Sequence, residues 1–270
     1  MAAEIFDGIL LVSDMDGTLL NSKSEISREN QAALEYFVAH GGLFTVATGR
    51  MEGSLRRFLP YLPINAPSIF YNGAVIYDLA KEEILWEVSL PEAVRAIVPE
   101  ACSAFPGLGM EIFHYSEVHF PYQNSETEKH CRREGFLPRL TPLEQVPFPW
   151  IKIILVDEPG KLPAVESYLT KRQDLFHMVY SEPQFLELLP KEASKGHALQ
   201  KLLRIMGRRD LKVVALGDNL NDLEMIEAAD LGIAVANAHP RLKKAARYRY
   251  GHHDDHAVAQ VVDHLERKII

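Results

Sequence analysis

The chain has 270 residues, 47% hydrophobic and 24% charged, the balance of a folded globular protein with room for one large α/β domain or two smaller ones. Its net charge of −8 speaks against nucleic acid as the main partner, because phosphate backbones attract clustered Lys and Arg. No apolar run reaches the roughly 20 residues of a membrane helix. Met1 to Asp7 carries acids and no basic segment of a secretory signal, and Cys102 and Cys131 are too few for a disulfide framework. The expectation is a cytoplasmic protein with two reduced thiols and no membrane partner, as a monomer or small homo-oligomer.

The first part of the chain alternates. Ile9–Ser13 reads as a buried strand. Ser27 is a good N-cap for a helix whose apolar face is Ala33, Leu34, Phe37 and Val38, with Gly41-Gly42 stopping it. Leu43–Ala47 reads as a second strand and Glu52–Leu62 as a helix that ends in prolines. Ser68–Tyr71 is a third strand. The turn dipeptide Asn72-Gly73 follows, and Val75–Tyr77 with Ile84–Val88 reads as a hairpin. Such strand–helix–strand alternation implies a parallel sheet with helices on both faces.

From about residue 85 the texture changes. The strands Gly109–Phe113, Ile151–Val156, Met178–Ser181 and Phe185–Leu189 are isolated, with helices at Pro91–Phe105 and Leu162–Gln173. This is a mixed α+β segment. Alternation then resumes with a helix at Ser194–Met206, a strand at Lys212–Leu216, a helix at Asp222–Ala229 and a strand at Leu231–Val235. Helices at Pro240–Ala246 and Asp255–Lys268 follow. The simplest architecture is an α/β fold, a doubly wound parallel-sheet core made of residues 1–84 and 190–270, with a smaller α+β domain of residues 85–189 inserted.

Four polar clusters fall after predicted strands or at helix starts of the α/β halves: Asp14 and Asp16, Thr48-Gly49-Arg50, Ser194-Lys195-Gly196, and Gly217 to Asp222. In a doubly wound sheet all four can converge on one rim. Asp14 and Asp16 follow a buried strand directly, and two carboxylates that close together call for a cation between them. Lys195 in a first helical turn opposes the helix dipole, which points to an anion bound there. Asp218 and Asp222, with Asn219 and Asn221, offer oxygen ligands suited to a hard cation such as Mg²⁺. Carboxylates for a metal together with Thr, Lys and backbone N–H groups for a phosphate are the parts of phosphoryl transfer. No Gly-rich nucleotide cradle of the GxxxxGK[ST] type is present. His252, His253 and His256 invite a zinc reading, but they have no Cys partners and no ligand-like helical spacing, so a solvated helix start is expected there.

These clusters, in this order, resemble the haloacid dehalogenase (HAD) superfamily of phosphatases. Asp14-Met15-Asp16-Gly17-Thr18-Leu19-Leu20 is similar to its first motif, Thr48 to the second, Lys195 to the third, and Gly217-Asp218 with Asn221-Asp222 to the fourth. The inserted segment stands where that superfamily carries its larger caps. The Asn72-Gly73-Ala74 turn and the Asn237-Ala238 pair resemble the Cof-like subfamily, with its type IIB cap. The resemblance implies Asp14 as nucleophile and Asp16 as proton donor and acceptor. It implies Mg²⁺ held by the Asp14 carboxylate, the Asp16 backbone carbonyl and Asp218, with Asp222 orienting metal-bound water or Lys195. Thr48 and Lys195 would hold the phosphoryl oxygens, joined by backbone groups of Met15, Asp16 and Gly49 and by the Asn221 side chain. Arg50 is either a further contact or a structural ion pair. One departure lies before the last helix, where the superfamily usually has a glycine and this chain reads Gly251-His252-His253-Asp254-Asp255-His256-Ala257. The resemblance implies a small phosphorylated substrate, a sugar phosphate above all. A phosphomutase of the same superfamily or a non-enzymatic phospho-receiver remains open. Glu111, His114, Tyr115, Tyr180 and Glu182 are polar or aromatic residues of the inserted segment, expected in its core or on its surface.

Overall fold

A computed structural model of the chain describes residues 4–135 and 138–268. It forms two compact units, Met1–Glu87 with Ser194–Ile270, and Val88–Ala193.

The first unit opens with β1 (Ile9–Ser13), α1 (Arg28–Ala39) and β2 (Leu43–Val46). Leu10, Leu11 and Val12 are fully buried, so both faces of β1 are covered, the mark of a central parallel strand. Ser27 caps α1, its hydroxyl accepting from the Asn30 N–H at 3.2 Å. The helix predicted over Glu52–Leu62 is shorter than expected. Only α2 (Glu52–Leu55) is α-helical, and 3₁₀-type bonds from Phe58 N–H to Leu55 and from Tyr61 N–H to Phe58 continue it. Pro60 lies in that stretch and has no N–H to extend an α-helical ladder.

β3 (Ser68–Phe70), β4 (Val75–Asp78) and β5 (Glu83–Glu87) form a separate antiparallel sheet. The third strand therefore leaves the parallel sheet, joined to β2 by a bridge between Ala47 and Ile69 and by the Thr45 hydroxyl, which donates to the Pro67 carbonyl at 2.8 Å. Tyr71, Asn72 and Gly73 turn the chain with three successive positive φ angles of 52°, 55° and 101°.

The second unit contains α3 (Val94–Ala104), β6 (Gly109–His114), β7 (Glu117–Tyr122), α4 (Ser125–Glu134), β8 (Lys152–Val156), α5 (Leu162–Leu169), β9 (His177–Glu182) and β10 (Phe185–Leu189). Its antiparallel sheet has the order β7-β6-β8-β10-β9. One face packs on α3 and α5 through Met110, Ile112, Ile153, Leu155, Leu186 and Leu188. β7 and α4 were not predicted. Pro121 disguises β7, and its edge position tolerates a residue without an N–H. α4 reads SETEKHCRRE and has no apolar stripe.

The chain returns to the first unit with α6 (Lys195–Ile205), β11 (Lys212–Gly217), α7 (Leu223–Ala228), β12 (Leu231–Ala234), α8 (Pro240–Ala245), β13 (Tyr248–Arg249) and α9 (Ala257–Glu266). β13 was not predicted, being only two residues long. The parallel sheet has the order β13-β12-β11-β1-β2. α6 and α7 cover one face through Ala198, Leu199, Leu202, Met225 and Ile226 against Leu10, Val12 and Ala215. α1 and α9 pack against each other. α9 starts at Ala257, later than predicted, because His256 turns left-handed at φ 59°. From β1 the chain winds one way to β2 and the other way through β11 to β13. The order therefore reverses at β1, and the crevice beyond its carboxyl end is where such sheets bind ligands.

Candidate active site

Asp14 is the first residue beyond β1, and it is tied to β11 by its own N–H, which donates to the Leu216 carbonyl at 3.0 Å. Asp218 is the first residue beyond β11. On the other side, the Ala47 N–H donates to Ser13 at 3.0 Å, which sets Thr48 alongside Asp14-Met15. Register alone thus brings the first, second and fourth clusters to one edge.

Lys195 completes the group from the start of α6, where Ser194 is the N-cap and accepts from the His197 N–H. Its ammonium is fully buried and donates to Asp14 Oδ1 and Asp222 Oδ1, both at 2.6 Å. Burial alone would push the Lys195 pKa down. Asp14 and Asp222 outweigh it and hold the ammonium charged, above its ordinary range. Asp14 nonetheless has its pKa raised well above the usual carboxylate range. Burial is the largest cause; Lys195 opposes it, while Asp222, Asp218 and Asp16 add to it. Asp218 is pushed up to about 6 by burial and by Asp222. The two directions agree once the charges are counted: Lys195 is well satisfied, and it is too little for the carboxylates around it.

That imbalance calls for a further cation. Asp14, Asp218 and Asp222 each offer a carboxylate oxygen, and these oxygens lie within 4.8 Å of one another. An all-oxygen, anionic donor set suits a hard divalent ion such as Mg²⁺. Asp222 is the least available of the three. Its Oδ1 holds Lys195, and its Oδ2 accepts from the Asp218 and Asn219 N–H groups at 2.9 and 3.1 Å. Gly17, with φ 79°, permits the first segment to approach this cluster, since a Cβ there would stand 2.5 Å from Asp218 Oδ2.

Asp16 lies apart from that carboxylate cluster. Its side chain is half exposed and forms a two-pronged ion pair with Arg50, Nε to Oδ2 and Nη2 to Oδ1 both at 2.7 Å. Arg50 is thus an ion-pair partner of Asp16. Thr48 is buried, and its hydroxyl accepts from the Arg50 N–H at 3.1 Å. Asn221 donates to Asn72 Oδ1 at 2.9 Å.

Asn72, noted in the sequence only as part of a turn similar to that of the Cof-like subfamily, belongs to the site itself. Read as a turn former, it is in fact buried, with φ 55°. Its N–H donates to the Thr48 carbonyl at 3.0 Å, and its amide lies where a Cβ on Gly49 would touch it. The next residue, Gly73, sits so close to Ser194 that any side chain would collide with the Ser194 carbonyl. Asn72-Gly73 therefore joins the second, third and fourth clusters. The signal lay in the dipeptide's position one residue beyond a strand that ends on this rim.

Of the polar residues singled out in the second unit, Glu111 is buried and its two oxygens share His130 Nδ1 at 2.8 Å. Glu182 pairs with Arg133, and His114 Nδ1 donates to the Pro149 carbonyl. Among the described residues, no helix is long and apolar enough to cross a membrane.

Comparison with known proteins agrees with this geometry. The sequence signature of haloacid dehalogenase-like hydrolases matches residues 11–262. The phosphatase YwpJ of Bacillus subtilis (strain 168) is 30% identical, over 95% of this chain and 99% of its own. The 5-amino-6-(5-phospho-D-ribitylamino)uracil phosphatase YwtE of the same organism is 28% identical, over 93% and 96%. The crystal structure of a haloacid dehalogenase-like hydrolase from Bacteroides thetaiotaomicron superposes with a TM-score of 0.86 at 31% identity, covering 95% of this chain and 99% of that one. The chain belongs to the haloacid dehalogenase-like hydrolase family, among its phosphatases.

Proposed function

We propose that the chain is a Mg²⁺-dependent phosphomonoester hydrolase for small phosphorylated metabolites, sugar phosphates above all, working through an aspartyl-phosphate on Asp14. The observation that carries this reading is the buried Lys195 ammonium, 2.6 Å from both Asp14 and Asp222 at the switch point of the sheet. Lys195 engages Asp14 Oδ1, which leaves Oδ2 as the attacking oxygen. Attack forms the Asp14–phosphorus bond and breaks the ester bond, and Asp16 gives its proton to the departing alcohol. Water then attacks phosphorus, passes a proton to Asp16 and releases phosphate from Asp14. In this cycle Asp16 must exchange Arg50 for the ester oxygen, because Arg50 occupies both of its carboxylate oxygens.

The Asp14 and Asp218 carboxylates and the Asp16 backbone carbonyl are the groups assigned to the metal. Bound there, Mg²⁺ would supply positive charge to offset the crowded carboxylates and a phosphoryl group. Asp222 keeps Lys195 in place. Thr48, Lys195, Asn221 and the backbone of Met15, Asp16 and Gly49 are assigned to the phosphoryl oxygens, and Asn72 positions Asn221 and Gly49. The second unit, inserted between the second and third clusters, is assigned the role of a cap that sets specificity. The substrate class rests on the resemblance and on the name of YwtE, whose substrate is a small phosphorylated ribityl compound.

A screen of sugar phosphates with Mg²⁺ or EDTA, with Asp14→Asn as control, tests this reading. The expected result is metal-dependent release of free phosphate that falls by orders of magnitude in Asp14→Asn. An isomerised sugar phosphate without free phosphate would mean a phosphomutase. Stable phosphorylation of Asp14 without turnover would mean a receiver. Either result sinks the hydrolase.

A further inference from the structure

The turn before α9 brings together three donors that the proposed chemistry does not use. His252, His253 and Asp254 each place one side-chain ligand atom within 4.8 Å of the other two. Asp254 Oδ2 is 3.5 Å from His252 Nδ1 and 3.8 Å from His253 Nε2. Ligands around a tetrahedral ion with bonds of about 2.0–2.1 Å stand about 3.4 Å apart. Small side-chain rotations are therefore enough to close these three atoms on one ion.

The surroundings are those of a metal site. His253 Nδ1 faces the Leu20 carbonyl at 2.8 Å. A carbonyl only accepts, so Nδ1 carries the proton, and Nε2 faces the Ser22 hydroxyl at a long 3.4 Å, a contact that an ion would replace. Ligating histidines characteristically donate their other N–H to such a carbonyl, and ligating carboxylates are themselves hydrogen-bonded. Asp254 meets the second condition, accepting from the Ser22 N–H at 2.7 Å and from its hydroxyl at 2.6 Å. His252 Nδ1 now accepts only a long bond from the Asp254 N–H at 3.3 Å, which an ion would replace. The His252 and Asp254 side chains are each about two-fifths exposed, at 41% and 42%, leaving water to fill the fourth position. His256, grouped with these residues on sequence, stands elsewhere, with Nδ1 3.6 Å from Glu29.

We propose that His252, His253 and Asp254 form a second metal site, separate from the Asp14–Asp218 carboxylates and specific for borderline transition ions such as Zn²⁺. Two imidazoles favour such an ion over Mg²⁺, which takes oxygen ligands. Through the bonds donated by His253 to Leu20 and by Ser22 to Asp254, the ion clamps the turn before α9 onto the loop that follows the Asp14–Thr18 segment.

The test is a Zn²⁺ titration of the untagged full chain, saturated with Mg²⁺, against a chromophoric chelator. One equivalent should bind. His252→Ala, which leaves the His253–Leu20 bond in place, and Asp254→Asn should each weaken that affinity at least about tenfold. His256→Ala should bind as the wild type does, and Zn²⁺ should raise the Tm of the wild type and of His256→Ala only. The proposal is overturned if the wild type takes up no Zn²⁺, if His252→Ala and Asp254→Asn bind it like the wild type, or if His256→Ala loses it equally.

Discussion

The side chains of the candidate site divide into those that carry charge and those that hold the charged ones still. Asp14, Asp218, Asp222 and Lys195 were legible in the sequence because carboxylates crowded just past a buried strand, and a lysine in a first helical turn, need an electrostatic reason. Asn72 was not, because an Asn-Gly pair is the ordinary composition of a turn. Its role follows only from three dimensions, where it meets Thr48, Gly49 and Asn221. Its left-handed backbone costs little, since asparagine is among the residues that tolerate that region best. Asn72→Gly, which keeps the left-handed backbone free of strain, is therefore expected to fold and to act through its neighbours. Inhibition by inorganic phosphate should weaken several-fold, with KM rising more than kcat falls. Combined with Asn221→Ala, the loss should be less than the sum of the single losses, with a coupling of about 0.5–3 kcal/mol. Strictly additive effects in the double mutant would show that the Asn72–Asn221 bond does no positioning.

At the scale of elements, periodicity carried the reading wherever an element had an apolar face. β1, α1, β10 and α6 were found within a residue or two of their observed ends. α4 escaped because a polar helix has no stripe to detect, and its signals were its two ends. Asn124 forms a capping box with Thr127, and Gly135 closes the helix at φ 74°. Asn124 also anchors the helix outward, its amide donating to the Gly107 carbonyl at 3.1 Å and to the Val156 carbonyl at 2.7 Å. A cap alone is worth about 1 kcal/mol, and the two further bonds about 1 kcal/mol each. Asn124→Ala should accordingly lower stability by about 2–3 kcal/mol in a denaturant titration monitored by circular dichroism. Asn124→Ser, which keeps a capping oxygen but loses the two donated bonds, should fall in between. Equal stability of Asn124→Ala and wild type would mean that α4 is held by packing alone.

For the molecule as a whole, the net charge of −8 has a local counterpart, because the carboxyl edge of the parallel sheet gathers more negative charge than Lys195 neutralises. This has a consequence for stability with a definite sign. Burial and Asp222 push the Asp218 carboxyl from its ordinary 3.8 up to about 6, and Asp14 is shifted in the same direction. A carboxyl whose pKa is raised by folding binds more protons folded than unfolded between those values. Its contribution is fully present below about pH 4 and is lost as pH rises through about 6. Without divalent metal, the Tm should therefore fall as pH is raised from 5 to 7. Mg²⁺ takes only the ionised carboxylates, so its stabilising effect must grow over the same interval. Melting curves at pH 5, 6 and 7, in EDTA or in Mg²⁺, should show the two series diverging as pH rises. Asp218→Asn removes the titrating group near pH 6. It should flatten the metal-free series and shrink the gap to the Mg²⁺ series. If the metal-free Tm instead rises steadily to pH 7 while Asp218→Asn behaves like the wild type, the crowding of carboxylates at this edge does not govern stability, and the charge imbalance that points to the metal is not felt by the fold.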